Sequence, residues 1–473
     1  MTTSKSFPED LLKTLTQFNQ SHLVQWWEKL NETQQDNLTS QIESINFAQI
    51  QRLYSPAHSS KAEESPAEKA ERATCPAKVI RLQDRSQPNT NTSQPIQAGN
   101  QLLAEGKVGA ILVAGGQGSR LGFQHPKGMY PAGPVKQTSL FQMLVEQLIA
   151  RSRIAGKPIC YFIMTSDATH DETIAYFKQH QNFGLQADQL YFFKQGTMPA
   201  VDAQTGEILL EEKHQIAVSP DGHGGTLKAL KNSGLFEVMQ KKGIEYLYYH
   251  QVDNPTAIVC DPEFLGYHLQ YQAEVSVKVV SKRSPEEKMG IVCDVDNQTQ
   301  IIEYSDLPVH ISKQVDQAGN LLHWAGSTAI HIFNRSFLEQ IAEDDDLLPF
   351  HQANKKVPFI DSTGTPISPT KPNAIKFERF IFDVLPVAET VLVYEIDRER
   401  EFNPLKNAEG PDSPETVHAA LCQIYSHWLH SCGIEIPPDT DVEISPLVAL
   451  DECELKTKIS PDMNLNSPIY LGE

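Results

Sequence analysis

VGAILVAGGQGSRLGFQHPK, residues 108–127, decides how the rest of the chain is read. Val108, Ala110, Ile111, Leu112 and Val113 form a short apolar run without alternation. Such a run suits a central strand of a sheet covered on both faces. Gly115, Gly116 and Gly118 follow at once. Glycines so closely spaced let the backbone approach a ligand and turn through positive φ. Backbone N–H groups in such a turn are free to point at anionic oxygens. Arg120 and Lys127 add positive charge, and Pro126 fixes the chain before the lysine.

The pattern continues outward from this stretch. Residues 140–149 (LFQMLVEQLI) have helical spacing, 158–165 (PICYFIMT) read as a buried strand, 171–180 as a helix and 190–193 as a strand. Strand and helix in alternation predict an α/β domain with a mixed, mainly parallel sheet. Ligands of such sheets sit beyond the carboxyl ends of the strands, so the loops after Val113, Thr165, Phe193 and Val252 are where a site belongs. Those loops carry KQGTMPA at 194–200 and SPDGHGGT at 219–226. The strand read at 244–251 runs into Val252, Asp253 and Asn254. A carboxylate at the end of a buried strand, in a domain with two glycine-rich loops, suits a Mg²⁺ ligand. Asp-Asn-Pro is also ordinary turn chemistry.

Further strands are expected at 275–280, 291–295, 300–304, 329–333 and 391–396, and a helix at 416–430. Residues 373–384 (NAIKFERFIFDV) are amphipathic and carry Lys376 among apolar residues. Near the N-terminus, Leu23, Val24, Trp26, Trp27 and Leu30 suit one helix; Leu38, Ile42, Ile45, Ile50 and Leu53 suit a second. Residues 55–100 are rich in Ser, Pro, Ala, Gln and charge, and read as an extended connection with a short strand at 79–82. The expected division is therefore a helical segment at 1–54, a linker at 55–100, a catalytic domain at 101–385 and a small C-terminal domain at 386–473.

Composition narrows the partners. The 473 residues are 40% hydrophobic and 21% charged, with a net charge of −20. No general nucleic-acid binder is expected at that charge, and an anionic membrane surface is disfavoured. No apolar run approaches the roughly 18 residues of a membrane span, and the N-terminus lacks the pattern of a secretion signal. The seven cysteines form no CxxC pair, so reduced thiols and a cytoplasmic location are expected, with neither a disulfide framework nor a zinc site indicated.

The glycine stretch is not an NTPase loop, because no Gly-Lys-Ser/Thr closes it, and it lacks GxGxxG spacing. VAGGQGSRLGFQHPKG does resemble the glycine-rich signature of sugar nucleotidyltransferases. Within them it is similar to the eukaryotic-type UDP-N-acetylhexosamine pyrophosphorylases. QGTMPA, PDGHGG, HQVDN, IIEYSD, IKFERFIFD and FNPLKNA recur in that family's order. The resemblance implies a Rossmann-like, GT-A-like nucleotidyltransferase domain. It also implies that UTP and a sugar 1-phosphate give a UDP-sugar and pyrophosphate with Mg²⁺. By the same resemblance Arg120, Lys127 and Lys376 meet the UTP phosphates and Lys406 the phosphates near the sugar. Ala114, Gly115 and Gly116 hold the nucleotide through their backbone, Gln195 and Gly222 hold the uracil, and Asp253 carries the metal. His223, Glu303 and Ser327 line the sugar, with Phe380 and Phe382 on the N-acetyl side; helix core packing is the competing role for the two phenylalanines.

Two positions depart from that pattern. The N-acetylhexosamine enzymes resemble PDGNGG and AGN, whereas this chain has His223 and Ser327. A GHG loop is similar to that of UDP-glucose and broader UDP-sugar pyrophosphorylases. N-acetylglucosamine 1-phosphate is the expected substrate, with glucose or galactose 1-phosphate as the rival. A nucleotide-sugar-binding regulator without turnover is a second alternative; the full set Arg120, Lys127, Asp253, Lys376 and Lys406 speaks against it. A scaffold docking through Trp26 and Trp27 is a third, and packing is the preferred role of those two rings.

Overall fold

The computed structural model describes residues 6–55, 66–85, 87, 92–460, 463 and 467–472. The chain forms two units, one of residues 66–195, 226–345 and 382–473, the other of residues 1–65, 196–225 and 346–381.

The larger unit is built on a ten-stranded sheet. In chain order its strands are β1 (Val79–Ile80), β2 (Val108–Val113), β3 (Cys160–Thr165), β4 (Leu190–Lys194) and β5 (Tyr246–Gln251). They continue with β6 (Val275–Ser281), β7 (Ile291–Val295), β8 (Gln298–Ile302), β9 (Ala325–Asn334) and β10 (Val391–Glu395). The spatial order is β1-β10-β6-β9-β5-β2-β3-β4, with the β7–β8 hairpin attached to β9. Along that path only β9 runs antiparallel to its neighbours. The sheet is therefore mixed and mainly parallel, as the alternation of elements predicts. Every residue of β3 is buried, and β2 is buried up to Val113. Apolar runs without alternation become strands covered on both faces.

The stretch expected as a linker is largely folded. Residues 56–65, 86 and 88–91 lie outside the described ones. Around them, β1 pairs in parallel with β10, and Ser93–Glu105 is a 13-residue helix. That helix lies against the helix Pro262–Gln270 by reciprocal close approach. A Cβ on Gly99 would stand 1.9 Å from the Pro262 carbonyl oxygen, and one on Gly266 would stand 1.8 Å from that of Pro95. Composition hid this helix because its close contact is made through Pro95 and Gly99, and its large buried residues, Leu102 and Leu103, come only near its end.

The boundary expected at 385/386 does not separate two cores. Strand β10 lies within the main sheet, and Val417, Leu421, Tyr425 and Leu429 share one apolar cluster with Ala110 and Leu112. Those four residues come from the helix Pro414–Ser431, which starts with a capping box at Ser413 and Thr416.

The smaller unit combines the N-terminal helices with two later segments. Glu9–Gln17, Glu32–Ser44 and Phe47–Tyr54 are helices. Trp26 and Trp27 are buried with Leu15, Leu38, Val201 and Phe377, which makes them core residues rather than a docking surface. The single helix expected around them is instead a pair of 3₁₀ turns, Ser21–Val24 and Trp27–Lys29. Asn19 at φ 57° and the capping box that Asn31 makes with Gln34 bound this segment on either side. A second small sheet pairs His351–Lys355 with Ala374–Glu378 and then Val201–Asp202. Residues 373–384 are thus a strand followed by the 3₁₀ segment Ile381–Val387, not a continuous amphipathic helix. Among the described residues no helix is long and apolar enough to cross a membrane.

Candidate functional site

Strand β2 lies between β5 and β3, and all three run in parallel, so the glycine turn opens at their shared carboxyl edge. The buried Ala114 donates its N–H to the Met164 carbonyl at 2.8 Å. A Cβ on Gly115 would stand 2.7 Å from Oε1 of Gln195 and 3.3 Å from the Ser166 nitrogen. Only glycine lets the Gln195 amide lie against this backbone. Ser166 Oγ donates to the Gly115 carbonyl at 2.8 Å and holds the turn from the β3 side. Gly116 faces open space. The rest of the loop closes on itself: Lys127 N–H donates to the Gly116 carbonyl, and Gly118 N–H to that of His125, each at 3.0 Å. Lys127 is thereby anchored at the glycine turn. Arg120 sits on an exposed 3₁₀ turn, Ser119–Leu121.

Beyond β5, Val252 N–H donates to the Val113 carbonyl at 3.1 Å, which brings the next residue beside the loop. Asp253 Oδ2 lies 3.5 Å from Lys127 Nζ, and both side chains are only 15% exposed. The sequence reading placed these residues in separate motifs; the fold makes them partners. Leu405 N–H donates to the Asp253 carbonyl at 2.8 Å. Asn254 extends the link: its Nδ2 donates to the Glu401 carbonyl at 2.8 Å, and its Oδ1 accepts the Asn403 N–H at 3.1 Å. Lys406 follows the laced Leu405, its N–H donating to the Asp412 carbonyl at 2.7 Å and its ammonium 5.5 Å from the centre of the Phe402 ring. Among the described residues Arg120, Lys376 and Lys406 have no carboxylate partner. Lys376 and Lys406 are half-buried and Arg120 is exposed; cations without counter-charge suit an incoming anion.

The same lacing rests on a buried charge cluster that the sequence did not reveal. The fully buried Lys278 ammonium lies 2.7 Å from Asp261 and 2.6 Å from Glu401. Burial alone would push this lysine down; the two carboxylates more than offset it and keep it charged.

Glu303 and Ser327 meet through Gly290. Ser327 N–H donates to the Gly290 carbonyl at 2.9 Å, and a Cβ on Gly290 would stand 3.0 Å from Oε1 of Glu303. The contact lies where β7 joins β9, at the Ile291–Gly326 pair. Phe382, buried in the larger unit, begins the last segment of that unit.

The remaining candidates lie in the smaller unit. His223 Nδ1 accepts the Ile381 N–H at 3.1 Å, so its neutral ring carries the proton on Nε2. Burial among protein atoms, and then the neighbouring His351 imidazole, lower His223 to about 4. The Phe380 ring lies between two imidazoles, 5.3 Å from His223 and 4.6 Å from His351. It is therefore not a helix-core residue. Gly222, at φ 82°, is positioned by neighbours on both sides: Gly224 N–H donates to the Arg379 carbonyl, and Arg379 N–H to that of Asp221. Lys376 is half-buried on the strand Ala374–Glu378.

Asp221 was missed, because a Pro-Asp-Gly sequence reads as a turn. Its buried carboxylate fills the space that side chains at Gly196 and Gly225 would occupy, 2.6 Å and 2.1 Å from their virtual Cβ atoms. It ties the QGT loop to the GHGG loop.

Comparison with known proteins agrees over most of the chain. The sequence model of the family described as UTP--glucose-1-phosphate uridylyltransferase matches residues 49–459. The UDP-N-acetylglucosamine pyrophosphorylase of Saccharomyces cerevisiae is 34% identical over 461 residues, covering 92% of this chain and 94% of its own. The UDP-N-acetylhexosamine pyrophosphorylase-like protein 1 of Homo sapiens is 32% identical over 500 residues, covering 98% and 97%. The crystal structure of the uridine diphosphate N-acetylglucosamine pyrophosphorylase from Trypanosoma brucei superposes with a TM-score of 0.81 at 26% identity, covering 96% of this chain and 95% of that one.

Proposed function

The chain belongs to the UTP--glucose-1-phosphate uridylyltransferase family, and from that premise we propose that it transfers uridylyl from UTP to N-acetylglucosamine 1-phosphate, releasing pyrophosphate. The observation that carries this reading is the Lys127–Asp253 pair at the carboxyl edge of β2 and β5, tied through the Asp253 carbonyl to Leu405, the residue before Lys406. The names of the full-length relatives support the choice of sugar.

The chemistry asks little of acid–base groups. The attacking phosphate oxygen is already ionised at neutral pH, so the protein's work is to align two anions and to neutralise charge at the α-phosphate and the leaving pyrophosphate. Ala114, Gly115 and Gly116 would receive the nucleotide on backbone, and the Gln195 amide can offer both a donor and an acceptor to uracil, as would the backbone of Gly222. Arg120, Lys127 and Lys376 would neutralise the triphosphate, and Lys406 the sugar phosphate. The half-buried Asp253 carboxylate, with one lysine as its near neighbour, fits a Mg²⁺ that keeps most of its oxygens from water and phosphate. Bound there, the ion would supply charge neutralisation at the phosphate oxygens. Glu303, Ser327, His223, Phe380 and Phe382 would receive the sugar.

His223 and Ser327 favour a second reading, in which glucose or galactose 1-phosphate is also accepted. Seven free cysteines and substrates that are small soluble phosphates support a cytoplasmic enzyme that works without nucleic acid or membrane. The test is pyrophosphate release from UTP, with Mg²⁺, against a panel of sugar 1-phosphates. The highest kcat/KM is expected with N-acetylglucosamine 1-phosphate. Equal rates with glucose 1-phosphate would replace the narrow reading with the broad one, and UDP-sugar binding without turnover would leave only a regulator.

A further inference from the structure

One cluster of metal-ligating side chains lies outside the site described above. His418 and Cys422 are four residues apart on the helix Pro414–Ser431, so they share one face. Asp441 reaches them from the residue before the strand Val442–Ile444. His418 Nε2 is 3.3 Å from Asp441 Oδ1, Cys422 Sγ is 3.8 Å from the same oxygen, and Cys422 Sγ is 3.9 Å from His418 Nδ1. One ligand atom from each residue can be chosen so that all lie within 4.8 Å of one another.

For either imidazole nitrogen, two of the three separations are close to those of a tetrahedral zinc. With Zn–S near 2.3 Å and Zn–N or Zn–O near 2.1 Å, neighbouring ligand atoms stand about 3.3 to 3.6 Å apart. One imidazole nitrogen binds one ion, so the remaining separation, up to 4.8 Å, must close by as much as about 1.2 Å, which side-chain rotation at half-buried and exposed positions supplies. The frame is rigid: the helix buries Val417, Leu421, Tyr425 and Leu429, and Asp441 accepts the Ile469 N–H on its carbonyl at 2.8 Å. The three side chains are half-buried or exposed, so an ion can enter and a water can complete the coordination.

We propose that His418, Cys422 and Asp441 form a binding site for one divalent transition-metal ion of the zinc class. A thiol and an imidazole on a protein that handles Mg²⁺ select against that hard cation and towards Zn²⁺. The ion joins the last long helix to the segment carrying Glu443. The Glu443 carboxylate accepts the Val135 and Lys136 N–H groups at 2.7 and 2.6 Å, and so clamps the chain shortly after Lys127. The expected consequence is stabilisation of this corner rather than a part in uridylyl transfer. Sequence spacing does not announce the site, because its third ligand comes from beyond the helix.

The experiment uses the full chain freed of metal with a chelator, then titrated with Zn²⁺ in competition with a chromophoric chelator under excess Mg²⁺. Co²⁺ substitution reports the ligands. One ion per chain is expected, with a thiolate-to-cobalt charge-transfer band and a melting temperature that rises with Zn²⁺. Cys422→Ser and His418→Ala should each weaken Zn²⁺ binding about 10-fold or more, and Cys422→Ser should abolish the band. Far-ultraviolet circular dichroism and Mg²⁺-dependent turnover identify any variant that fails to fold, and Asp441→Asn provides an independent ligand change. Binding and charge-transfer intensity unchanged in Cys422→Ser would overturn the proposal, and would assign the ion to the exposed Cys75 or Cys453. No binding by the intact chain would overturn it as well.

Discussion

Lys127 Nζ stands 3.5 Å from Asp253 Oδ2, although the two residues follow different strands and belong to different motifs. The pairing has a mechanistic cost for any substitution. Removing Asp253 leaves the lysine without its neighbour, and removing Lys127 leaves the carboxylate facing the phosphates. Asp253→Asn and Lys127→Met should each lower kcat by about 100-fold or more, the range for loss of one preorganised charge contact. Steady-state pyrophosphate release checks this. Full activity in Asp253→Asn would sink its assignment as the Mg²⁺ ligand.

His223 should govern the choice of sugar without acting as a proton carrier. Held at about 4, it is neutral under ordinary assay conditions and presents Nε2–H as a donor. The ratio of rates with glucose and N-acetylglucosamine 1-phosphate should therefore stay flat from about pH 6 to 8. His223→Asn should change that ratio, leaving KM for UTP within about 3-fold. An unchanged ratio would move specificity to Ser327 and Glu303.

Buried histidines predict an acid-sensitive fold. His250 is lowered to about 3 by burial, and His268 to about 4 by burial against the raising effect of its bond to Asn334. The unfolded chain, with histidine near 6.5, takes up protons that the folded chain refuses. Stability is therefore complete above pH 6.5 and falls as pH drops towards 4, by up to about 1.4 kcal/mol per pH unit for each histidine. Denaturant unfolding of His268→Gln, followed from pH 7 to 4.5, should show a slope shallower by about that amount. Parallel slopes would mean that His268 is not held neutral.

The crossing of Ser93–Glu105 with Pro262–Gln270 leaves no space for a methyl group. Gly266→Ala should destabilise by about 2 kcal/mol, in the range for overpacking against a fixed backbone. A melting temperature equal to that of the wild type would show that the helices separate easily.

Lys278→Met leaves Asp261 and Glu401 buried together without the ammonium that bridges them, at a cost of about 3 to 5 kcal/mol. Since Glu401 also holds Asn254 through its carbonyl, the surviving folded protein should show a lower kcat as well. Rescue of kcat by a further Glu401→Gln change would locate the defect in unpaired charge.

How much was legible in the sequence depended on the range of the cause. The glycine turn, β2 and the helix Pro414–Ser431 follow from local pattern, because apolar runs, turn residues and caps act within a few residues. The segment at 373–384 could not be read that way. Its apolar spacing fits a helix, yet the ladder offered by His351–Lys355 draws it into a strand. The helix Ser93–Glu105 hid in a polar composition, because its contact depends on a glycine in a partner far along the chain. Asp221 and Lys278 were silent for the same reason: each is defined by groups brought to it only by folding. The departures at His223 and Ser327 were readable as letters, but the imidazole–phenyl–imidazole arrangement around Phe380 was not.

The smaller unit draws on three separated stretches, and its core places Leu15 and Trp27 in one cluster with Val201 and Phe377. During synthesis, the opening helices emerge from the ribosome long before the strand bearing Phe377 exists. Until then Leu15 and Trp27 lack part of the core that the folded unit gives them. A chain interrupted before the strand Ala374–Glu378 is made therefore cannot complete this core, however much of the larger unit it contains.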